Sequence, residues 1–111
     1  MLVATWNING IKARIATLLR WLEEARPDVC CLQEIKCEDQ SFPGLEIEGL
    51  GYNFAVHGQK GFNGVAILSK RPFDETVVRL PGDEEDNHSR YIEAVNSRGK
   101  TPFRVASIYP P

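Results

Sequence analysis

The sequence lacks the features that mark membrane, secreted or disulfide-stabilised proteins. No apolar run approaches the roughly 18 residues of a membrane-spanning helix, so we expect no membrane segment. The opening Met1 to Ala4 carries no basic leader and no cleavage pattern, which favours a cytoplasmic location over secretion. The cysteines number three, an odd set, and Cys30 and Cys31 are adjacent in a predicted strand, where successive side chains point to opposite faces. We therefore expect free thiols rather than a disulfide framework.

The sequence also lacks an excess of positive charge. Its formal net charge is −2, which argues against binding a polyanion by bulk electrostatics, so any nucleic-acid contact has to be focused on a local basic rim. The apolar fraction of 42% and the charged fraction of 25% are typical of an ordinary globular domain. There are no internal repeats, low-complexity tracts or linkers, so residues 1–111 are interpreted as a single domain.

The first third of the chain predicts a strand, a helix and a second strand. Leu2 to Trp6 is short, apolar and β-prone, and Asn-Gly punctuation follows it. Apolar residues then recur every three or four positions from Ile11 to Ala25, as on one face of a helix that ends before Pro27. Val29 to Leu32 is a compact apolar strand, and the intervening helix is a crossover suited to parallel pairing.

The rest of the chain, after the second strand, is predicted to form mainly antiparallel strands joined by loops. A loop through Ser41 to Gly44 and a glycine-containing hairpin loop from Gly58 to Gly64 are expected, with an acidic, solvated connection at Asp83 to Asp86. The predicted strands are 52–57, 65–68, 76–80, 91–95 and 103–109. One sheet with one helix leaves the other sheet face bare, and an apolar sheet face has to pack against another layer. We therefore interpret the chain as an incomplete domain.

Two predicted strands end in polar residues that bear oxygen. Leu2 to Trp6 leads into Asn7, and Val29 to Leu32 leads into Gln33 and Glu34. A hard divalent cation such as Mg²⁺ takes one or two carboxylates, keeps several waters and accepts substrate phosphate oxygens. The pattern predicts a sparse metal site suited to phosphoester cleavage, although Glu34 as a solvent-facing loop residue and Asn7 as a turn residue remain open on local grounds.

Five short motifs together resemble a known family. They are Trp6-Asn7-Ile8-Asn9-Gly10, Leu32-Gln33-Glu34-Ile35-Lys36, 61–69 (Gly-Phe-Asn-Gly-Val-Ala-Ile-Leu-Ser), Arg90-Tyr91-Ile92 and Ser107-Ile108-Tyr109. Their order and spacing over the whole chain resemble the exonuclease III branch of the endonuclease/exonuclease/phosphatase superfamily. The resemblance implies an α+β fold, the N-terminal half of a DNase I-like four-layer α/β sandwich. It also implies an enzyme, a Mg²⁺- or Mn²⁺-dependent deoxyribonuclease of DNA repair that cuts at abasic sites and trims 3′ ends.

The resemblance also implies roles for individual residues. Glu34 and Asn7 correspond to metal-site residues, and Tyr109 to a tyrosine that contacts the scissile phosphate, so these three are the catalytic candidates. Asn9 stands where some relatives carry aspartate, so it either holds metal or only shapes the turn. The candidates for DNA contact are Lys12, Lys36, Lys60, Phe62 and Arg90.

Several of these roles compete with ordinary structural ones. Without the resemblance, Tyr109 would be interpreted as a β-prone aromatic residue that packs in a core. The lysine and arginine candidates would be interpreted as solvent-exposed surface residues with no specific role. Phe62 either projects from its loop to wedge into DNA or folds back onto the core. Among whole proteins, the alternatives are a non-catalytic DNA-binding or half-domain module and a superfamily phosphoesterase that acts on phosphoinositides or sphingomyelin.

Family members carry further catalytic parts in a second half, namely an Asp-x-Asn pair, a later aspartate and a Ser-Asp-His ending, and none occurs in this sequence. We therefore expect little or no nuclease activity from the 111 residues alone. The expected partners are double-stranded DNA with abasic sites or 3′ ends and the missing C-terminal half of the domain. Because we expect each half to contribute one sheet, we also expect self-association through an exposed apolar sheet face.

Overall fold

A computed structural model describes residues 1–78, 88–99 and 101–110 of the chain. The strands are β1 (Val3–Asn7), β2 (Val29–Gln33), β3 (Asn53–His57), β4 (Val65–Ser69), β5 (Glu75–Val77), β6 (Tyr91–Asn96) and β7 (Phe103–Ile108). The helices are α1 (Ile15–Ala25) and α2 (Gly44–Glu48), preceded by a 3₁₀ turn at Asp39–Ser41. The predicted strand end at 79–80 and the predicted acidic connection at 83–86 lie outside the described residues.

The described strands form two sheets. The larger sheet has the order β1-β2-β4-β3, in which β1 and β2 are parallel and the other pairs are antiparallel. The smaller sheet is antiparallel, with the order β5-β6-β7. The expectation of a single sheet in this chain was wrong, because the strands after β4 pair with one another and do not extend the first sheet.

The two sheets pack face to face. β7 lies over β2 and β4, and β6 lies over β4 and β3. Between the sheets is an apolar core built from alternate residues of these strands: Val29, Cys31, Ala55, Val65, Ile67, Ile92 and Ala94. The sheet face that was expected to be bare is therefore covered within the chain, and a half of the domain does not correspond to one sheet.

Helix α1 covers the opposite face of the larger sheet. Its Leu18 and Leu22 are fully buried against Cys30, Leu32 and Leu68. The helix ends at Arg26, which adopts a left-handed conformation with its N–H donating to the Leu22 carbonyl, immediately before Pro27. Helix and sheets thus form three layers, consistent with part of a four-layer sandwich. No helix in the described part of the chain is long and apolar enough to span a membrane.

The helix starts four residues later than the periodic pattern predicted. Ile11 is fully buried, but its N–H donates to the Ile35 carbonyl at 2.9 Å, so it belongs to a loop pairing and not to the helix. The segment before α1 is a turn in which the Arg14 N–H bonds back to the Ile11 carbonyl. The buried apolar positions therefore continue across the turn, and for that reason periodicity alone placed the helix start too early.

The edge strand β1 is incompletely covered. Val3 and Thr5 pair with Val29 and Cys31, so they point toward the inner face of the sheet, but Val3 remains 53% exposed. Beside this edge is a groove of about 350 Å³ lined by Thr5, Trp6, Thr17 and Trp21. Among the described strands β1 pairs with β2 alone, so this edge and its groove form an open margin of the larger sheet.

Candidate metal and DNA site at the strand ends

The loops that follow β1 and β2 are joined by backbone hydrogen bonds. The Ile8 N–H donates to the Gln33 carbonyl at 3.0 Å, and the Gly10 N–H donates to the Glu34 carbonyl at 2.8 Å. Ile8 and Ile35 are fully buried, so apolar side chains anchor both loops from beneath. This alternation of buried isoleucines with polar residues holds the polar side chains together at the surface.

Four non-glycine residues around these loops adopt a left-handed backbone. They are Asn9 (φ 48°), Glu34 (φ 52°), Lys36 (φ 56°) and Asn63 (φ 57°). Such conformations are uncommon for residues with a side chain and persist where surrounding contacts impose them. Here the Lys36 N–H donates to the Asn63 carbonyl at 3.0 Å, which fastens the β2 loop to the β3–β4 hairpin loop.

A chain of contacts, made by side chains and by one backbone N–H, links the three catalytic candidates. The Tyr109 hydroxyl hydrogen-bonds to the Glu34 carboxylate. Lys36 Nζ lies 4.0 Å from Glu34 Oε2 and donates to Asn9 Oδ1 at 2.6 Å. The Asn9 N–H in turn donates to Asn7 Oδ1 at 3.2 Å. The ends of β1 and β2 and the residue after β7 therefore lie at one place, with Asn7 and Glu34 linked through Lys36 and Asn9.

Tyr109 is joined to Arg90 as well as to Glu34. The Tyr109 N–H donates to the Arg90 carbonyl at 2.8 Å, which places both residues at the same end of the smaller sheet. The hydrogen bond to Glu34, followed by desolvation and the charge of Glu34, raises the pKa of Tyr109, while the positive charge of Arg90 opposes this shift. The phenol therefore stays protonated at neutral pH and can donate a hydrogen bond. Arg90 Nε is buried and has no hydrogen-bond partner among the described residues.

The three lysine candidates line one pocket. Lys12, Lys36 and Lys60 line a volume of about 220 Å³ together with Cys37, Glu38, Ser41 and Gly61. The lysines come from three different loops, so no short stretch of sequence would have shown that they converge. Three lysines against one glutamate give this pocket a net positive charge, which attracts an anion such as a phosphate.

Phe62 projects from the hairpin loop between β3 and β4. Its exposed fraction is 54%, so it does not fold back onto the core. The next residue, Asn63, is only 5% exposed, and its Nδ2 donates to Gln59 Oε1 at 3.0 Å. The loop therefore presents an aromatic side chain outward from a buried polar base.

The cysteines lie inside the protein and are free thiols among the described residues. Burial raises the pKa of Cys30 to about 12 and that of Cys31 to about 11. Burial also raises the pKa of Cys37, opposed by the positive charge of Lys12. All three are thus protonated at neutral pH and unsuited to act as nucleophiles or metal ligands.

The donors near Glu34 fit a hard cation that keeps most of its water. Glu34 supplies one carboxylate and Asn7 an amide oxygen, and within residues 1–78, 88–99 and 101–110 no group of three or more His, Cys, Asp or Glu side chains clusters. A soft or strongly chelated metal needs more ligands of the protein than this. Mg²⁺ and Mn²⁺ prefer oxygen ligands and accept water and phosphate at the remaining positions, so the residues present suit them.

Two residues of this region were not assigned a clear role by the sequence. Asn9, left open between a metal role and a turn role, bonds Lys36 through its side chain and Asn7 through its backbone. Gln59 accepts from Asn63 in its own loop and from Ser89, which lies 30 residues further along the chain. No sequence signal identified either contact, because each depends on how separate loops are placed in the fold.

Comparison with known proteins gives consistent matches. A profile of the Endonuclease/Exonuclease/phosphatase family matches residues 4–110. Exodeoxyribonuclease III from Haemophilus influenzae is 46% identical over 92 residues, which cover 81% of this chain and 34% of that protein. The chain thus spans about a third of the length of this relative.

Solved structures match in the same way. The 3′ phosphatase NExo from Neisseria, bound to product DNA hairpin, superposes with a TM-score of 0.90 at 32% identity, covering 98% of this chain and 41% of that one. An AP endonuclease from Archaeoglobus fulgidus superposes with a TM-score of 0.80 at 38% identity, covering 85% of this chain and 37% of that one. These neighbours confirm the DNase I-like fold and the expectation that the chain corresponds to an N-terminal part of it.

Proposed function

The chain belongs to the Endonuclease/Exonuclease/phosphatase family, and from this we propose that it forms the N-terminal part of a metal-dependent DNA repair nuclease of the exodeoxyribonuclease III type. Its substrates are duplexes with abasic sites and 3′ ends, and its reaction is hydrolysis of a phosphodiester bond. The observation that carries the proposal is the contact chain from Tyr109 through Glu34, Lys36 and Asn9 to Asn7. The site of action is the cytoplasm.

In this proposal Glu34 and Asn7 hold Mg²⁺ or Mn²⁺. When bound, the metal stabilises the negative charge that accumulates on the phosphate during hydrolysis. The single phenolic proton of Tyr109 is shared with Glu34 in the structure; with Glu34 engaged by a cation, the phenol would donate this proton in a hydrogen bond to a phosphate oxygen. Lys36, 4.0 Å from Glu34, adds a second positive charge beside the same phosphate.

The DNA backbone is held by the basic residues around this centre. Lys12 and Lys60, which line one pocket with Lys36, supply an anion site for a phosphate beside the scissile one. Arg90 can fork two phosphate oxygens, and the exposed ring of Phe62 can enter the groove. Such contacts fix the position of a duplex without reading its sequence, which suits an enzyme that seeks lesions.

The chain alone is proposed to be inactive. A single carboxylate with an amide and a tyrosine provides cation binding and orientation but no aspartate or histidine to activate water. The matched relatives are more than twice as long, and we propose that the part of the protein corresponding to their remaining residues supplies these groups. The open β1 margin, with Leu2 and Val3 each 53% exposed, is the surface on which such a C-terminal part docks or on which two copies associate.

Complementation tests the proposal directly. The chain is mixed with the C-terminal portion of Haemophilus influenzae exodeoxyribonuclease III that follows the matched region, and cutting of an abasic duplex is measured in Mg²⁺. We expect cutting by the mixture and none by either part alone. Glu34→Gln should abolish the restored activity, whereas Glu24→Gln, a matched change at an exposed carboxylate near the end of α1, should leave it intact.

Other outcomes separate the alternatives. A mixture that forms a stable complex but cuts no DNA would overturn the nuclease assignment. Salt-sensitive duplex binding that survives Glu34→Gln, without cutting, would favour the non-catalytic DNA-binding module. Hydrolysis of a soluble phosphoester in place of the duplex would favour the relative with another substrate. Cutting by the chain alone would contradict its proposed inactivity.

A further inference from the structure

We propose that Gln59 is a positioning residue that sets Phe62 and Arg90 in register across the two sheets; this inference rests on the proposed DNA-binding function. Phe62 belongs to the hairpin loop of the larger sheet, whereas Arg90 enters the first long strand of the smaller one. Between them, the side chain of Gln59 contacts the residue next to each.

One oxygen atom makes both contacts. Gln59 Oε1 accepts from the Ser89 N–H at 3.1 Å and from Asn63 Nδ2 at 3.0 Å. A backbone N–H can only donate, so the atom that faces it has to be the amide oxygen. The same oxygen then requires the NH₂ end of Asn63, which fixes the orientation of both amides.

Both donors are cut off from solvent. Asn63 is 5% exposed and Ser89 is 4% exposed, so water cannot readily replace Gln59 as their acceptor. Loss of the acceptor leaves a buried N–H without a partner, which is costly enough to displace the backbone that carries it. The displaced residues would be Phe62 on one side and Arg90 on the other.

The remaining contacts around Ser89 hold the base of the hairpin loop and not its tip. Ser89 Oγ donates to the Gly58 carbonyl at 2.9 Å, and the Gly64 N–H donates to the Ser89 carbonyl at 2.8 Å. These bonds fix the two ends of the loop. The Lys36 N–H holds the Asn63 carbonyl, but among the described contacts only Gln59 bonds to the Asn63 side chain. Because Asn63 adjoins Phe62, Gln59 acts on the part of the loop that is proposed to meet DNA.

The position of Arg90 also matters for the catalytic candidates. The Arg90 carbonyl accepts from the Tyr109 N–H, and Tyr109 contacts Glu34. A shift of Ser89 would therefore change how far the Phe62 ring and the Arg90 guanidinium lie from the phosphate that reacts. A rigid duplex tolerates such a mismatch poorly, because its phosphates are fixed relative to one another.

The test compares two substitutions at Gln59 with a control. Gln59→Met keeps the length but removes the acceptor, whereas Gln59→Glu keeps an accepting oxygen. Gln40→Met is the matched control, because Gln40 is exposed and its Nε2 bonds only to Glu38 among the described contacts. Binding of the 111-residue chain to a short duplex with an abasic-site analogue is followed by fluorescence anisotropy over a range of salt concentrations.

We expect Gln59→Met to weaken duplex binding about tenfold and Gln40→Met to leave it unchanged. In the Phe62→Ala/Arg90→Gln background, the further loss from Gln59→Met should be less than about twofold, because the residues through which Gln59 acts are gone. Hydrogen exchange of the Ser89 amide should speed up in Gln59→Met and stay slow in Gln59→Glu. The same hydrogen-exchange measurement shows whether Gln59→Met remains folded. If Gln59→Met does not fold, Gln59→Ala is used in its place.

A loss of the same size in both backgrounds would overturn the inference, since a merely structural role is additive. Unchanged Ser89 exchange in Gln59→Met would overturn it as well. A wild-type chain that binds no duplex would instead refute the DNA-binding part of the proposed function and remove the inference with it, which distinguishes the two failures.

Discussion

Lys36 Nζ donates to Asn9 Oδ1 at 2.6 Å, whereas its nearest approach to the Glu34 carboxylate is 4.0 Å. The ammonium is thus held by a neutral amide and not by a close ion pair. Because Asn9 carries no charge, the carboxylate of Glu34 remains available to a cation and Lys36 remains available to a phosphate. We infer that the residue at position 9 sets the balance between cation binding and anion binding at this site.

Asn9→Asp should shift that balance. A second carboxylate near Glu34 strengthens cation binding by about 1 kcal/mol, or roughly fivefold, and pairs with Lys36 so that duplex binding falls by a similar factor. Mn²⁺ titration and duplex anisotropy measure the two effects. Asn9→Gly is the control, because glycine adopts the left-handed backbone at φ 48° without strain and lacks both amide and charge. A weakened Mn²⁺ affinity in Asn9→Asp would contradict the prediction.

The lysine pocket predicts a measurable salt dependence. We expect the single substitutions Lys12→Gln, Lys36→Gln and Lys60→Gln to reduce the salt dependence of duplex binding. A lysine that neutralises one phosphate contributes about one to the slope of log K for duplex binding against log salt concentration, and each substitution should remove that contribution. Lys70→Gln is the matched control, since Lys70 follows β4 at the opposite end of the larger sheet and pairs weakly with Asp28 at 3.9 Å. Equal slopes for all four variants would show that the pocket does not hold DNA phosphate.

The sequence predicted the elements whose pattern is local. Apolar runs placed β2, β4 and β7 to within a residue or two, and Pro27 marked the end of α1. Helix α2 was missed, because a five-residue helix with one buried apolar side chain, Ile47, is too short to show a period of 3.6. The division of strands into two sheets was missed as well, since pairing partners distant in sequence leave no local signature.

For the candidate site, the sequence supplied residue types and the fold supplied their arrangement. Glu34 and Asn7 were predicted as metal ligands because they stand at the ends of apolar strands, and a parallel pair brings such ends together. The contacts of Tyr109 with Glu34 and of Gln59 with Ser89 could not be predicted, because each crosses from one sheet to the other. Whether Phe62 is exposed also depends on Asn63 and Gln59 beneath it and not on its own sequence context.

Because two leucines differ in burial, we expect replacement by alanine to lower the free energy of unfolding by different amounts at the two positions. Leu22→Ala removes a fully buried side chain between α1 and the larger sheet and should lower the free energy of unfolding by about 2–5 kcal/mol. Leu45→Ala, at a residue that is 82% exposed, should change it by less than about 0.5 kcal/mol. Urea unfolding followed by circular dichroism measures both values. Similar costs for the two variants would contradict the three-layer packing.

Acid should weaken the junction where β1 and β2 begin. Asp28 Oδ2 accepts from the Leu2 N–H at 2.6 Å, and Asp28 Oδ1 lies 3.9 Å from Lys70 Nζ. The Leu2 hydrogen bond lowers the pKa of Asp28 below its ordinary value of 3.8; desolvation opposes the shift, and Lys70 assists it. The folded pKa therefore lies below the unfolded one, so the contribution to stability is fully present above pH ~4 and is lost as the pH falls through the folded pKa.

Asp28→Asn isolates this contribution, because asparagine keeps an accepting oxygen but cannot ionise. We expect the variant to be less stable than the wild type at about pH 7 and the difference to shrink steadily as the pH falls below about 4 and through the lowered folded pKa, where the wild-type carboxylate becomes protonated. Urea midpoints across this pH range give the measurement. A difference that stays constant with pH would show that Asp28 acts through packing alone, and one that grows in acid would reverse the inferred direction of the pKa shift. Since Asp28 fastens the residues that lead into Val3, its protonation should also loosen the open β1 margin, and hydrogen exchange of the Leu2 amide should rise over the same pH range once intrinsic rates are corrected.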